Sequence, residues 1–258
     1  MLIKPQVDQG AFLLMNRATQ RAFQLLDTVV AEQTIGMAIA KPGVAKSYAI
    51  TAWRRKHSPG GLNPVRHICL EAYAGARPRQ LLYALAEGLG LPRLAAPNMD
   101  ALHTQIIERL ASDPVLIILD EADLLRVVTF DLLRSIWDRV GYLRGTDGSA
   151  AFPLALFGTP RLRDMLLRED LERLRRRVWQ TAELPTMNQR EVELALRGKW
   201  PDLQCDVDGL QELTRLSGGS FGWLDKIVPI AAKLAAKDGK VITARIVRET
   251  AKYVVGIE

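Results

Sequence analysis

The sequence predicts an α/β fold, with a parallel sheet flanked by helices and a smaller all-helical segment after it. Three observations carry this. Short apolar runs alternate with stretches of helical periodicity up to about residue 185, as successive βα units require. The run from Pro114 to Leu119 is continuously apolar, which suits a strand buried on both faces. Beyond Leu184-Pro185-Thr186 the strand signal fades and helical periodicity alone remains.

The elements follow in order. Residues 1–14 read as a lead-in without regular structure. From Asn16 to Glu32, apolar residues from Ala18 to Val30 recur at helical spacing. Thr34–Ala40 is a short apolar strand that runs into Lys41-Pro-Gly-Val-Ala-Lys-Ser47, and a helix follows to about His57. Ser58–Pro64 is rich in turn residues and reads as a loop. A second strand spans Val65–Tyr73 and a helix Pro78–Leu89. Asn98 is placed to cap the helix that ends near Ser112. After the central strand come a helix over Phe130–Leu143, a polar turn over Arg144–Ser149 and a strand over Phe152–Phe157. Helices are expected over Gln189–Lys199, Val207–Ser217, Phe221–Lys237 and Thr243–Val255. The division is thus a lead-in (1–14), an α/β core (15–185) and a C-terminal helical segment (186–258). No internal repeat is evident.

The bulk numbers narrow the class. In 258 residues, 35 basic against 29 acidic side chains leave a formal charge of +6. A mild excess of this kind fits a polyanionic partner and is also common in proteins that bind none. Cys69 and Cys205 lie far apart without metal-ligand spacing, so neither a disulfide framework nor a zinc site is expected, and Cys69 reads as a small buried hydrophobe. His57, His67 and His103 have no ligand spacing either and read as surface or loop residues. No secretory signal is visible and no apolar run reaches membrane-spanning length, so a soluble cytoplasmic protein is expected.

Three strand ends carry chemistry. A phosphate-binding loop has the form G-x-x-x-x-G-K-[ST] between a strand and a helix. Its glycines let backbone N–H groups close on phosphates, its lysine reaches the terminal phosphates and its hydroxyl binds Mg²⁺. The aligned octet is Ala40-Lys-Pro-Gly-Val-Ala-Lys-Ser47, with alanine at both defining glycines. The alternative is a chance Lys-Ser pair, but an apolar strand before it and a helix after it favour the loop. Pro42, Gly43, Val44, Ala45, Lys46, Ser47 and Tyr48 are the candidate nucleotide contacts. A Cβ at position 45 is expected to strain the backbone or crowd the phosphates. Further on, Leu116-Ile-Ile-Leu-Asp-Glu-Ala-Asp123 places Asp120 and Glu121 at the carboxyl edge of a parallel sheet, where ligands bind. Asp120 would complete the Mg²⁺ shell with Ser47, and Glu121 would orient the attacking water. Asp123 reads as a capping or structural residue. Phe157-Gly-Thr-Pro-Arg161 ends the next strand, with Thr159 either a polar contact to the γ-phosphate or water, or simply part of a turn.

Basic clusters come next. Leu171–Val178 holds four arginines on an expected helix, either a solvated face or the source of an arginine finger reaching a neighbouring subunit; Arg173, Arg176 and Arg177 are the candidates. Arg77 and Arg79 lie near a helix N-terminus after the second strand, where they read as surface charge or as contacts to a phosphate backbone.

This order of motifs resembles the transposition-regulator branch of AAA+ ATPases, the group of TnsC, TniB, MuB and IstB, from about residue 15 to 255. The carrying segments are the degenerate phosphate loop, Leu119-Asp-Glu-Ala-Asp123, Leu156-Phe-Gly-Thr-Pro-Arg-Leu162, the arginine-rich Leu171–Val178 and Ser217-Gly-Gly-Ser-Phe-Gly-Trp-Leu-Asp225. Arg17-Ala-Thr-Gln-Arg21 is similar to the segment that lies near the nucleotide base in that group. The resemblance implies an AAA+ Rossmann-like core with a helical lid, ATP and Mg²⁺ as ligands, Thr159 as sensor 1, and an arginine among 173–177 acting across a subunit interface. It implies a homo-oligomeric ring or filament on duplex DNA, contacted through Arg77 and Arg79, that recruits a transposase and hydrolyses ATP. The missing glycines set weak hydrolysis, or a nucleotide-binding scaffold, beside that expectation. A helicase loader or a secretion-type ATPase on the same core is the other alternative. No sensor-2 arginine is evident; Trp223 and Lys226 occupy its neighbourhood.

Overall fold

The computed structural model describes residues 15–59, 64–92, 98–146, 148–236 and 241–254. The expected lead-in, residues 60–63 of the first loop, Asp147 of the polar turn and the last residues of the two C-terminal helices lie outside them. The chain divides into two compact units.

The first unit holds Ala22–Ala40 and Ile50–Glu183. Its strands are β1 (Ile35–Ala40), β2 (His67–Glu71), β3 (Leu116–Asp120), β4 (Leu154–Gly158) and β5 (Val178–Leu184). They form one sheet in the order β2-β3-β4-β1-β5, and the pairs β2/β3, β3/β4 and β1/β4 are parallel. β1, β3 and β4 are buried at every residue, which is why their sequences are unbroken apolar runs rather than alternating ones. The helices of this unit are α3 (Pro78–Gly88), α4 (Met99–Ser112), α5 (Val127–Leu143), α6 (Pro160–Leu166) and the single turn α7 (Glu172–Arg175). Two further helices, α1 (Arg17–Glu32) and α2 (Lys46–Lys56), begin in the second unit's residues and continue into the first.

Large side chains close this core. Trp137 and Phe152 are fully buried, and the Trp137 indole N–H donates to the Phe152 carbonyl at 3.1 Å. The Trp53 indole N–H donates to Asp27 at 2.7 Å. His57 lies in the turn just after α2 but is buried rather than at the surface: one helical turn beyond Trp53, it stacks on that indole with centroids 4.1 Å apart. His67 and His103 are half-buried, not exposed. Burial pushes the His67 imidazole below its ordinary pKa and the Cys69 thiol up to about 12, so Cys69 is the inert apolar filler the sequence suggested.

The arginine-rich stretch also differs from expectation. Only Glu172–Arg175 is helical, and Val178 opens strand β5. Val-Trp-Gln-Thr-Ala alternates with period two, half-buried against exposed, as an edge strand does.

The second unit takes Lys41–Ala49 and the chain from Leu184 onward, with residues 15–21. Its helices are α8 (Gln189–Lys199), α9 (Val207–Ser217), α10 (Phe221–Ala235) and α11 (Ala244–Ala251). The sequence carried no strand signal here, yet β6 (Gln204–Cys205) pairs in parallel with β7 (Val241–Ile242). Two-residue strands are too short to leave a periodic pattern. Each helix start is capped by a side chain, from Asn188, Asp206, Ser220 and Thr243. Val192, Leu213, Leu224, Ile227 and Val247 are fully buried at its centre. Among the described residues no helix is long and apolar enough to cross a membrane.

Candidate functional site

In the second unit, the segment after β1 forms a tight loop. The Val44 N–H donates to the Lys41 carbonyl at 3.3 Å, and the Ala49 N–H to the Ala45 carbonyl at 3.0 Å as α2 begins. Gly43 has φ +78° and Ala45 φ +67°, both left-handed. Ala45 therefore holds the conformation that glycine adopts freely, at a cost of about 1–2 kcal/mol for a residue with a Cβ. The alanine strains the loop backbone, as expected. Lys46 opens α2 and is buried.

The Gly43 carbonyl accepts from the Gly222 N–H and from the Ser220 hydroxyl, each at 3.1 Å, so the loop is fastened to the start of α10. A Cβ on Gly43 would collide with Ser220 Oγ. Beside this junction is a cavity of about 360 Å³ lined by Gly43, Ala45, Tyr48, Lys199, Phe221, Gly222 and Asp225. Tyr48 and Phe221 stand 6.0 Å apart. Lys199 pairs with Asp225 at 2.7 Å and lies 4.9 Å from the Phe221 ring centroid. Its aromatic faces suit a planar base and the adjoining backbone turn suits phosphates, so the residues present fit a nucleotide. Lys199 and Asp225 were not legible as site residues, because nothing in their local spacing connects them. Lys226, near the expected sensor-2 position, lies over the Trp223 ring at 4.6 Å.

In the first unit, the carboxyl ends of β3 and β4 gather the acids. Asp120 is 1% exposed, its carbonyl accepts the Ala72 N–H, and its carboxylate accepts the Glu121 N–H at 2.9 Å. Glu121 has φ +54°, a sparsely populated conformation for a non-glycine residue of the kind that concentrates at functional sites. Asp123, expected to cap or to serve as a structural residue, holds Thr159. It is buried and accepts both the Thr159 N–H at 3.0 Å and the Thr159 hydroxyl at 2.8 Å.

The chain matches the AAA domain family over residues 30–166. It belongs to that family. No curated protein matches. Among solved structures, the Cdc6p of Pyrobaculum aerophilum is similar at 16% identity and TM-score 0.69, covering 95% of this chain and 69% of its own. The Aeropyrum pernix ORC1 protein in complex with DNA is similar at 17% identity and TM-score 0.64, covering 92% of this chain and 64% of its own. A mutant of the Thermotoga maritima RuvB protein is similar at 14% identity and TM-score 0.57, covering 91% and 68%. The chain thus spans about two thirds of the length of these structures, and the likeness establishes the fold: an AAA+ Rossmann-like core.

The arginines of this AAA domain fall into two groups. Arg176 pairs with Glu172 at 2.6 Å and Arg177 with Asp138 at 2.9 Å, whereas Arg173 is exposed and has no ion pair among the described residues. At the edge strand β2, Arg77 is the exposed N-cap residue of α3, and Arg79 reaches the Tyr83 hydroxyl at 3.1 Å and lies 5.5 Å from its ring centroid. Arg126, passed over by the sequence reading, lies beside them. Its guanidinium would be 3.5 Å from a Cβ on Gly75, and Thr129 fastens α5 to the same loop by donating to the Ala76 carbonyl at 3.0 Å. Some fifty residues separate Arg126 from that loop in the chain, so only the fold brings them together.

Proposed function

We propose that the chain is an ATP-dependent, DNA-binding AAA+ regulator of DNA transposition, which oligomerises on duplex DNA and recruits or activates a transposase. The observation that carries the nucleotide half is the loop after β1. It keeps two left-handed residues, Gly43 and Ala45, although one has lost its glycine, and it is followed by Lys46 and Ser47 at a helix start. A merely connecting loop has no need of that strain. Lys46 and the loop N–H groups hold the phosphates. Ser47 and Asp120 are the residues that would hold Mg²⁺, which would supply positive charge to offset that of the phosphates. Glu121 orients the water, and Arg173 serves a neighbouring copy's nucleotide.

The DNA half is supported by exposed arginines 77, 79 and 126 at one edge of the sheet, none with a carboxylate partner among the described residues. Such a set reads backbone phosphates rather than sequence. Likeness to an ORC1 protein solved with DNA is consistent with this. The assignment to transposition rests on the sequence resemblance in the Gly-Thr-Pro-Arg-Leu strand end and the lid-helix start. A second reading, a nucleotide-binding scaffold with little turnover, is favoured by Ala40 and Ala45.

Electron microscopy with duplex DNA, with and without a slowly hydrolysed ATP analogue, tests the proposal. Rings or filaments formed only with nucleotide support it. No assembly and no DNA binding in either condition defeats it. Phosphate release compared between the natural protein and Glu121→Gln separates the two readings: a drop on the order of 10²-fold marks a hydrolase, and equal low rates mark a scaffold.

A further inference from the structure

Asp123 is a buried carboxylate that the proposed function leaves unused. It is 4% exposed, and its partners among the described residues are the N–H and the hydroxyl of Thr159. The approach is close and built in: a Cβ on the intervening Gly158 would lie 2.7 Å from Asp123 Oδ1 and 2.9 Å from Leu162 Cβ, so only glycine admits it. The Thr159 side chain does not cap α6, although Thr159 sits at the N-cap position, because its hydroxyl is turned to Asp123.

An ionised carboxylate only accepts hydrogen bonds, and a hydroxyl has one proton and two lone pairs. With the Thr159 proton spent on Asp123, the group left at the carboxyl edge of the sheet is an acceptor. We infer that Asp123 is a positioning residue that orients the Thr159 hydroxyl, so that Thr159 receives a hydrogen bond from the attacking water rather than giving one to the γ-phosphate. The inference rests on the ATPase reading above. In that reaction the water oxygen bonds to the γ-phosphorus, the bond to the ADP oxygen breaks, and the water's other proton departs toward the Glu121 carboxylate. Thr159 fixes the water's direction and exchanges no proton.

Asp123→Asn is nearly isosteric and tests this. Its amide oxygen still accepts the Thr159 N–H, but its NH₂ now faces the hydroxyl, which must accept there and present its proton outward. The orientation is reversed with little change in packing. The expected result is a fall in kcat of roughly tenfold to a hundredfold, with KM for ATP and nucleotide affinity within about threefold of the natural protein, the pattern of an interaction made only in the transition state. Thr159→Val should lose as much, Thr159→Ser should keep most of the activity, and Asp123→Asn added to Thr159→Val should cost nothing further. A purely structural brace would lower the melting temperature of Asp123→Asn and leave kcat alone, and that result overturns the inference. So does a loss repeated in full on the Thr159→Val background. If the natural protein turns over no ATP, the hydrolase reading itself is overturned and the inference falls with it; natural turnover with an unaffected Asp123→Asn overturns the inference alone.

Discussion

Ala45 holds a left-handed backbone conformation that glycine adopts more easily. Its φ of +67° keeps the loop closed in the shape that a glycine would take without cost. Ala45→Gly removes a left-handed penalty of about 1–2 kcal/mol and adds glycine's unfolded-state entropy of about 0.5–1 kcal/mol, for a net gain of about 0–1.5 kcal/mol. The expected outcomes are a modestly higher melting temperature and tighter ATP binding by calorimetry. A looser complex would mean that the methyl group contacts the nucleotide favourably. Glu121 carries the same kind of strain at φ +54°, beside a carboxylate that is almost fully buried. Strained backbone persists only where its surroundings over-determine it, and here the Glu121 N–H is held by the Asp120 carboxylate.

At the scale of elements, the arginine-rich segment is the instructive case. It is a single helical turn between a short 3-10 turn and edge strand β5, and intrachain pairing divides its arginines. Arg176 is committed to Glu172 and Arg177 to Asp138, which leaves Arg173 as the candidate able to reach a second copy. Arg173→Ala should lower ATP turnover per subunit by at least tenfold while leaving the monomer's nucleotide affinity intact, since a finger in trans stabilises charge only in the transition state. Mixing that variant with Lys46→Ala should partly restore turnover, because each supplies what the other lacks. Equal turnover in Arg173→Ala and the natural protein would return this segment to a solvated basic surface.

At the scale of the whole molecule, the second unit is assembled from chain segments far apart in sequence. Arg17, at the start of α1, meets Glu191, at the start of α8, 174 residues away: its N–H donates at 2.8 Å and its guanidinium at 3.0 Å. Burial alone would raise the Glu191 carboxyl. The Arg17 guanidinium and N–H, with the Asn188 N–H of the capping box, outweigh it and hold the carboxyl below its usual range. Its folded pKa thus lies below the unfolded value of about 4.3, so ionised Glu191 stabilises the fold above that pH, and the contribution is lost as pH falls through the depressed value. Glu191→Ala should cost about 1–2 kcal/mol near pH 7, mostly as a lost cap, with a smaller penalty by pH 3. Thermal melts at the two pH values read this directly; a pH-independent penalty would show that packing rather than charge is lost.

The sequence by itself determined the parallel core, the helical C-terminal region and the three strand ends that lead to Lys46 and Ser47, to Asp120 and Glu121, and to Thr159. These are local consequences of periodicity and of side-chain type: an unbroken apolar run must be covered on both faces, and acids at its end fall at the carboxyl edge. Strand β5 and the β6–β7 pair were not legible. Half-buried edge residues and two-residue strands carry little hydrophobic pattern, and their partners are distant in the chain. The burial of His57 was not legible for a related reason, since a polar ring can be buried once an indole is placed to stack on it. Asp123 on Thr159, Arg126 beside Gly75 and the Lys199–Asp225 pair beside the loop after β1 were decided only by the tertiary structure. Each joins residues from separate stretches of the chain, and hydrogen bonds and charges act over a few ångströms of space, whatever the separation in sequence.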